Sequence, residues 1–260
     1  MDHSAHFQFF GRLQNLLVRP HQAGGVAYAF NEHPAIKDAV EALGIPHTEV
    51  AVLVVNGASV SFAYRLQETD HVDVYPHGWP TGFSSVVALT PALPTERRFI
   101  LDVHLGKLAR RLRILGFDCL YQNDYEDEEI VEIASNEERI VLTRDRGLLK
   151  RKQVVWGCLL DGDRFPEQLC EVDARYDLIG RVQPLGRCPT CNGLLQSVEK
   201  EQIVDRLEPK TIRYYDSFRH CSDCDKIYWR GSQAEKLLQW VETFRGGQSE
   251  LNPSKGSLKS

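Results

Sequence analysis

The sequence predicts an α/β protein: a parallel-sheet domain preceded by a β-grasp (α+β) domain and followed by a zinc ribbon. Three observations carry that expectation. Strand-like apolar runs alternate with helical patterns between Arg97 and Ala174, which implies a parallel sheet with helices on both faces. Residues 5–76 read as strand, strand, helix, strand, strand. Two CxxC pairs follow near the carboxyl end, with 29 residues between them.

In the first domain, 1–76, strands are expected at Ala5–Phe10 and Val26–Phe30. Pro34 suits a helix start because its missing N–H would be unpaired there anyway. The helix Ala35–Leu43 then places Ile36, Ala39, Val40 and Leu43 on one face. Ala51–Val55 is an apolar strand, and Asn56-Gly57 turns it into a hairpin. Val72–Tyr75 closes the unit and Pro76 ends it. Residues 77–96, with Pro80, Gly82, Ser84, Ser85, Pro91 and Pro94, read as a linker.

The domain expected over 97–176 opens on a strand ending at Asp102 and a helix Leu105–Leu115 stopped by Gly116. A strand Asp118–Tyr121, a helix Glu128–Asn136 and a strand Arg139–Thr143 follow. A short helix Arg146–Lys150 and a strand Val154–Leu160 complete the alternation. Residues 177–245 hold the cysteine module and a helix Gln233–Phe244. The Gly/Ser/Lys-rich tail 246–260 reads as disordered.

Composition narrows the function. The 260 residues are 42% hydrophobic and 26% charged, as in ordinary globular proteins. A net charge of −5 excludes a polycation, so nucleic acid would have to meet a local basic face. No apolar run approaches the ~20 residues of a membrane span. The start, Met1-Asp2-His3-Ser4, has no basic segment or apolar core of a signal peptide, so a cytoplasmic location is expected.

Two strands end at aspartates, Asp102 and Asp145, and ligands of open α/β sheets bind beyond the strands' carboxyl ends. Mg²⁺ and Mn²⁺ are hard cations that take carboxylate oxygens, so clustered acids there point to metal-dependent phosphodiester chemistry. The expected set is Asp102, Asp127 and Asp145. Asp124 and Glu128 compete for the middle position, and Asp161 or Asp163 could add a fourth carboxylate. Either strand-end aspartate could instead merely cap the helix that follows it. Lys107, Arg110, Arg111 and Arg113 on the first helix, with Arg144 and Arg146 beside Asp145, would form a basic rim for a polyanion. Lys107 and Arg110 are expected on one face, and a solvated charged helix face is the plain alternative.

Cys188, Cys191, Cys221 and Cys224 have the spacing of a structural Cys₄ zinc site, closed and therefore not catalytic. Cys119, Cys158 and Cys170 read as buried thiols. Tyr214, Tyr215, Phe218, Tyr228 and Trp229 are expected chiefly as the ribbon's core, with base-stacking platforms as the alternative.

Several of these segments resemble the mut-seven C-terminal ribonuclease family, a PIN-like nuclease with a zinc ribbon. They are Arg98–Asp102, Leu105–Arg110, Leu115–Asp118 and Leu142–Arg146, then Arg187-Cys188-Pro189, Cys191-Asn192-Gly193 and Tyr228–Ser232. The likeness spans about residues 97–235. It implies metal-dependent cleavage of RNA, with Asp102 and Asp145 among the acids; RNA, with tRNA or another structured RNA as candidates, is the expected partner. Gln233 departs from the histidine that family members often carry after Gly-Ser. The first domain is similar to ubiquitin-like units found before such nucleases, through Val55-Asn56-Gly57 and Glu68–Pro76. Small sulfur carriers related to those units need a free terminal Gly-Gly. Here the unit continues through His77-Gly78-Trp79, so docking to a partner protein or to RNA is the expected role. A non-catalytic adaptor that binds RNA or ribonucleoprotein is the alternative to a ribonuclease.

Overall fold

The computed structural model describes residues 3–18, 25–79, 82, 85–231 and 235–243. The first elements are β1 (His3–Phe9), β2 (Gly25–Phe30), α1 (Ile36–Ala42), β3 (Val50–Val55), β4 (Ala58–Ser59) and β5 (His71–Pro76). Then come β6 (Arg98–Leu101), α2 (Gly106–Ile114), β7 (Asp118–Leu120), α3 (Asp127–Asn136), β8 (Ile140–Thr143) and α4 (Arg146–Leu149). The remainder are β9 (Gly157–Leu159), α5 (Phe165–Tyr176), β10 (Leu195–Val198), α6 (Pro209–Tyr214), β11 (Phe218–Cys221) and β12 (Ile227–Trp229). The chain forms two compact units, Met1–Leu105 with Tyr121–Tyr176, and Gly106–Leu120 with Asp177–Ser260.

The first unit opens with a sheet ordered β2-β1-β5-β3-β4, in which β1 runs parallel to β5 and its other pairings are antiparallel. That is the β-grasp arrangement. Asn56 and Gly57 both adopt positive φ (50° and 86°), as a two-residue hairpin turn demands, and β3 pairs with β4 across them. Helix α1 starts later than expected. The extended segment at Pro34 and Ala35 bonds to 64–66 instead, through Leu66 N to Pro34 O (3.0 Å) and Ile36 N to Tyr64 O (2.8 Å). Ile36, Ala39 and Val40 are buried, while Leu43 is only partly so.

Strands β6, β8 and β9 run parallel, and Phe99, Ile100, Leu101, Ile140, Val141 and Leu142 are fully buried. A strand covered on both faces reads as a continuous apolar run, and these do. β9 lies at an edge of this sheet and is shorter than expected. Its outward groups are met by side chains. Leu159 N donates to Glu49 Oε1 (2.9 Å), Leu159 O accepts from Arg12 (2.9 Å), and Gly157 O accepts from the Tyr176 hydroxyl (2.8 Å). Glu49 and Arg12 come from the β-grasp part, so that part blocks the edge of the parallel sheet. Helix α5, which supplies Tyr176, was not foreseen. It buries Phe165, Leu169, Val172 and Tyr176.

In the second unit, α2 buries Leu108, Ala109, Leu112 and Arg113. Gly116 (φ 98°) ends it, and a side chain there would run into the Gln183 carbonyl. The chain at 183–185 caps the last turn, with Gln183 N on Leu115 O and Leu185 N on Ile114 O, both 2.8 Å. β10, β11 and β12 form an antiparallel sheet in that order. Its core holds Leu185, Leu195, Cys188 and Cys221, with Ile114, Cys224 and Tyr228 packed against it, so only part of the expected aromatic cluster contributes. Phe218 is buried, but Tyr214 is exposed and Tyr215, Tyr228 and Trp229 only half-buried.

Residues 235–243 are helical, while the predicted helix ends Gln233 and Phe244 lie outside the described residues. So do Pro80, Ser84, Ser232 and the tail 246–260. Val86 and Val87 of the linker are exposed.

Candidate active site

Asp102 follows β6 directly and is almost wholly buried. Its Oδ1 accepts from His104 N (2.9 Å), and its Oδ2 from Arg144 N (3.1 Å) and the Thr143 hydroxyl. Thr143, fully buried at the end of β8, also accepts from Asp145 N (2.8 Å). A hydroxyl has one proton, so donating to Asp102 and accepting from Asp145 fixes its direction. Thr143 thereby couples the two strand ends. Sequence reading missed it, although the signal was its position between Leu142 and Asp145.

Asp145 is exposed and caps α4, accepting from Gly147 N (2.6 Å) through Oδ1. Capping, the plain alternative, thus holds for one oxygen of Asp145. Asp127 is the first residue of α3, after a capping box formed by Glu126 and Glu129. Its carboxyl sits above the usual range because it is partly desolvated and because Asp145, Glu128 and Asp102 repel its charge; Arg151 only partly offsets them. The other candidates are engaged elsewhere or stand apart. Glu128 pairs with Arg151 (3.0 Å), Asp161 with Arg12 (3.1 Å) and Asp163 with Arg144 (2.7 Å), and Asp124 is exposed.

In the second unit the Sγ atoms of Cys188, Cys191, Cys221 and Cys224 all lie within 4.8 Å of one another. Cys188–Cys224 measures 3.6 Å and Cys191–Cys221 3.4 Å. Zn–S bonds of about 2.3 Å imply tetrahedral edges of about 3.8 Å, so the cluster fits a Zn²⁺ ion. No other group of three or more His, Cys, Asp or Glu among the described residues is drawn together in this way. Burial raises the Cys188 thiol, but hydrogen bonds from Tyr228 and the amides of Cys191 and Thr190 outweigh it and bring it to about 6. Thiolate is the form a metal needs.

Residues 97–241 match the family model described as Mut7-C RNAse domain, and residues 2–81 match that described as Mut7-C ubiquitin. The chain belongs to the Mut7-C RNAse domain family. No curated protein matches it in a parallel comparison.

Within the Mut7-C RNAse domain, the expected basic rim is distributed unevenly. Arg144 binds Asp163 and the Gly162 carbonyl, and Arg146 donates to Leu16 O (2.9 Å) in the ubiquitin-like part. Lys107 and Arg110 are exposed on α2 in the second unit. Arg113 is a correction. It is buried and donates to Cys119 O (2.8 Å) and Thr190 O (3.0 Å), tying the first cysteine knuckle to the helix–strand pair. Position 113 falls four residues after the buried Ala109, on the apolar stripe, a signal the sequence offered. Asn192 (φ 70°) completes that attachment by accepting from Cys119 N (2.9 Å) and donating to Asp118 (2.8 Å). Cys119 and Cys158 are buried, and burial pushes the Cys158 thiol up to about 11; Cys170 is only half-buried.

Proposed function

We propose that this Mut7-C RNAse domain hydrolyses RNA phosphodiester bonds with the help of Mg²⁺ or Mn²⁺. The reading is carried by Asp127, whose proton affinity is raised partly by neighbouring carboxylates. Asp102 and Asp145 lie just past β6 and β8 and both bear on the charge of Asp127, so an added cation would relieve all three. Asp102, Asp145 and Asp127 would hold the metal, with Asp124 as a further oxygen donor. Such an ion supplies a more acidic bound water and neutralises charge on the scissile phosphate. The chain's own contribution is positional. Thr143 holds the Asp102 carboxylate in a fixed orientation, the α4 cap leaves Asp145 Oδ2 free of any partner in that cap, and Lys107, Arg110, Arg144 and Arg146 would hold the RNA backbone. The cysteine centre would carry structural zinc. Partners would be RNA, including tRNA, and a protein docking on the ubiquitin-like domain, in the cytoplasm. No helix among the described residues is long and apolar enough to cross a membrane.

One observation favours the second reading, a non-catalytic RNA-binding adaptor: Arg144 and Arg146 are already engaged within the protein. End-labelled single-stranded RNA and tRNA, incubated with Mn²⁺, Mg²⁺ or no added metal, separate the two. Metal-dependent products that vanish in Asp102→Asn support the nuclease. RNA binding with no products under any metal favours the adaptor.

A further inference from the structure

Beside the cysteine centre, the second unit holds an open groove of about 480 Å³, inside the ~300–1,000 Å³ typical of small-ligand sites. Arg110 and Ile114 of α2 line one part of it, and Tyr215, Ile227, Tyr228 and Trp229 another. Tyr228 packs against the ribbon's core of Leu185, Leu195, Cys188 and Cys221, yet Tyr215, Tyr228 and Trp229 all stay half-buried and keep part of their surface for the groove.

The rings are nevertheless held in place. The Tyr228 hydroxyl lies 3.1 Å from Cys188 Sγ and 3.0 Å from the Thr190 hydroxyl. Trp229 packs against Tyr215 (centroids 6.1 Å apart) and edge-on to the buried Phe218 (6.2 Å). Aromatic surface immobilised before a ligand arrives binds at little entropic cost. The charged side chain lining the groove is a cation, Arg110. Helix α2 has no acidic residue, and Arg110 is exposed with no carboxylate partner among the described residues. Arg230 is exposed next to Trp229.

We propose that this groove binds unpaired RNA nucleotides, their bases stacking on the Trp229 and Tyr215 rings and their phosphate meeting Arg110. Fixed aromatic faces beside a guanidinium are the features by which single-stranded nucleic acid is held without sequence readout. Duplex RNA keeps its bases stacked on one another and cannot offer them. The inference rests on the nuclease reading for the choice of RNA, but none of the three carboxylates is among the residues that line the groove. Its role is to select substrates with a single-stranded stretch.

The test uses the full chain loaded with zinc and no added Mg²⁺ or Mn²⁺. Binding of fluorescein-labelled 12-nucleotide oligo(U) and of a 12-base-pair RNA duplex is measured by anisotropy for wild type, Arg110→Gln, Trp229→Leu and, as a control, Lys200→Gln. Zinc content and cleavage of the same oligonucleotide with Mn²⁺ are measured in parallel. The expected result is a loss of about tenfold or more in single-strand affinity for both groove variants, with the control unchanged and, in Trp229→Leu, duplex binding unchanged as well. Arg110→Gln guards against misfolding, since that side chain is exposed. Wild-type single-strand affinity in both groove variants overturns the proposal and leaves the groove to a protein segment. Equal losses for duplex and single strand in Trp229→Leu also overturn it, because stacking would not be the cause. Absence of cleavage with the single-strand losses intact defeats the nuclease reading and leaves the groove standing.

Discussion

Asp127 lies at the start of α3, where the helix dipole favours a negative charge, yet partial desolvation and its acidic neighbours hold its carboxyl above the usual range. A folded-state value above the unfolded one means the native protein binds the extra proton. The resulting cost is absent below the unfolded value and fully present once pH exceeds the folded one. Asp127→Asn should therefore stabilise the protein slightly at pH 7, by less than about 0.5 kcal/mol for a largely solvated group, and not at pH 3. The same variant should lose about a hundredfold or more in metal-dependent cleavage. Urea titrations at the two pH values and a cleavage assay check both halves. Thr143 presents a different trade. Thr143→Val removes a buried hydroxyl between Asp102 and the Asp145 amide and should cost about 1–3 kcal/mol, with a fall in kcat. Thr143→Ser should restore most of both, which a purely packing role would not explain.

Among the elements, the attachment of the cysteine knuckle to α2 and β7 depends on two side chains, Arg113 and Asn192. Asn192→Ala removes two hydrogen bonds and leaves a non-glycine residue at positive φ without the local bonding that asparagine supplies. The expected cost is about 1–3 kcal/mol with zinc still bound, read by thermal unfolding and metal analysis together. Cys188→Ser should instead abolish stoichiometric zinc, because it removes one of four converging ligands. The elements themselves were largely legible. Asn56-Gly57, the buried runs at 99–101 and 140–142, and both CxxC pairs act through local chemistry. Helix α5 was legible in principle, since Phe165, Leu169, Val172 and Tyr176 follow its period. The Asp102–Thr143–Asp145 linkage was half legible. The strand-end acids stand out in sequence, but the hydroxyl between them depends on two strands 41 residues apart being neighbours. The fate of Arg146, bonded to a carbonyl 130 residues away, has no local signal at all.

At the scale of the whole first unit, the ubiquitin-like part and the parallel sheet meet around a buried charge network. Glu49 Oε1 accepts from Arg175 (2.6 Å), Arg12 lies 3.6 Å from Glu49, and His47 spans Glu41 (2.6 Å) and the Val154 carbonyl (2.9 Å). Burial alone would raise the Glu49 carboxyl, yet the two guanidinium groups and the Leu159 amide pull it below its ordinary value. A depressed folded value contributes stability that is present above the unfolded value and lost as pH falls through the folded one. Wild type should thus weaken as pH drops below the ordinary glutamate range. Glu49→Gln should be about 3–5 kcal/mol less stable at pH 7, since Arg175 is left buried without its counter-ion, and should lose part of that acid sensitivity. Melting temperature against pH for both proteins decides it.

The blocked edge of β9 also limits how the protein can be divided. Cut at residue 97, the parallel sheet would present Leu159 with its outward N–H and carbonyl bare, a template for strand addition by a second copy. Such a fragment should associate or precipitate even though each of its own elements is intact. Any natural or engineered chain that carries this sheet alone must protect that edge with a proline, a lysine or a borrowed partner. The leading module thus doubles as a shield against self-association for the sheet behind it.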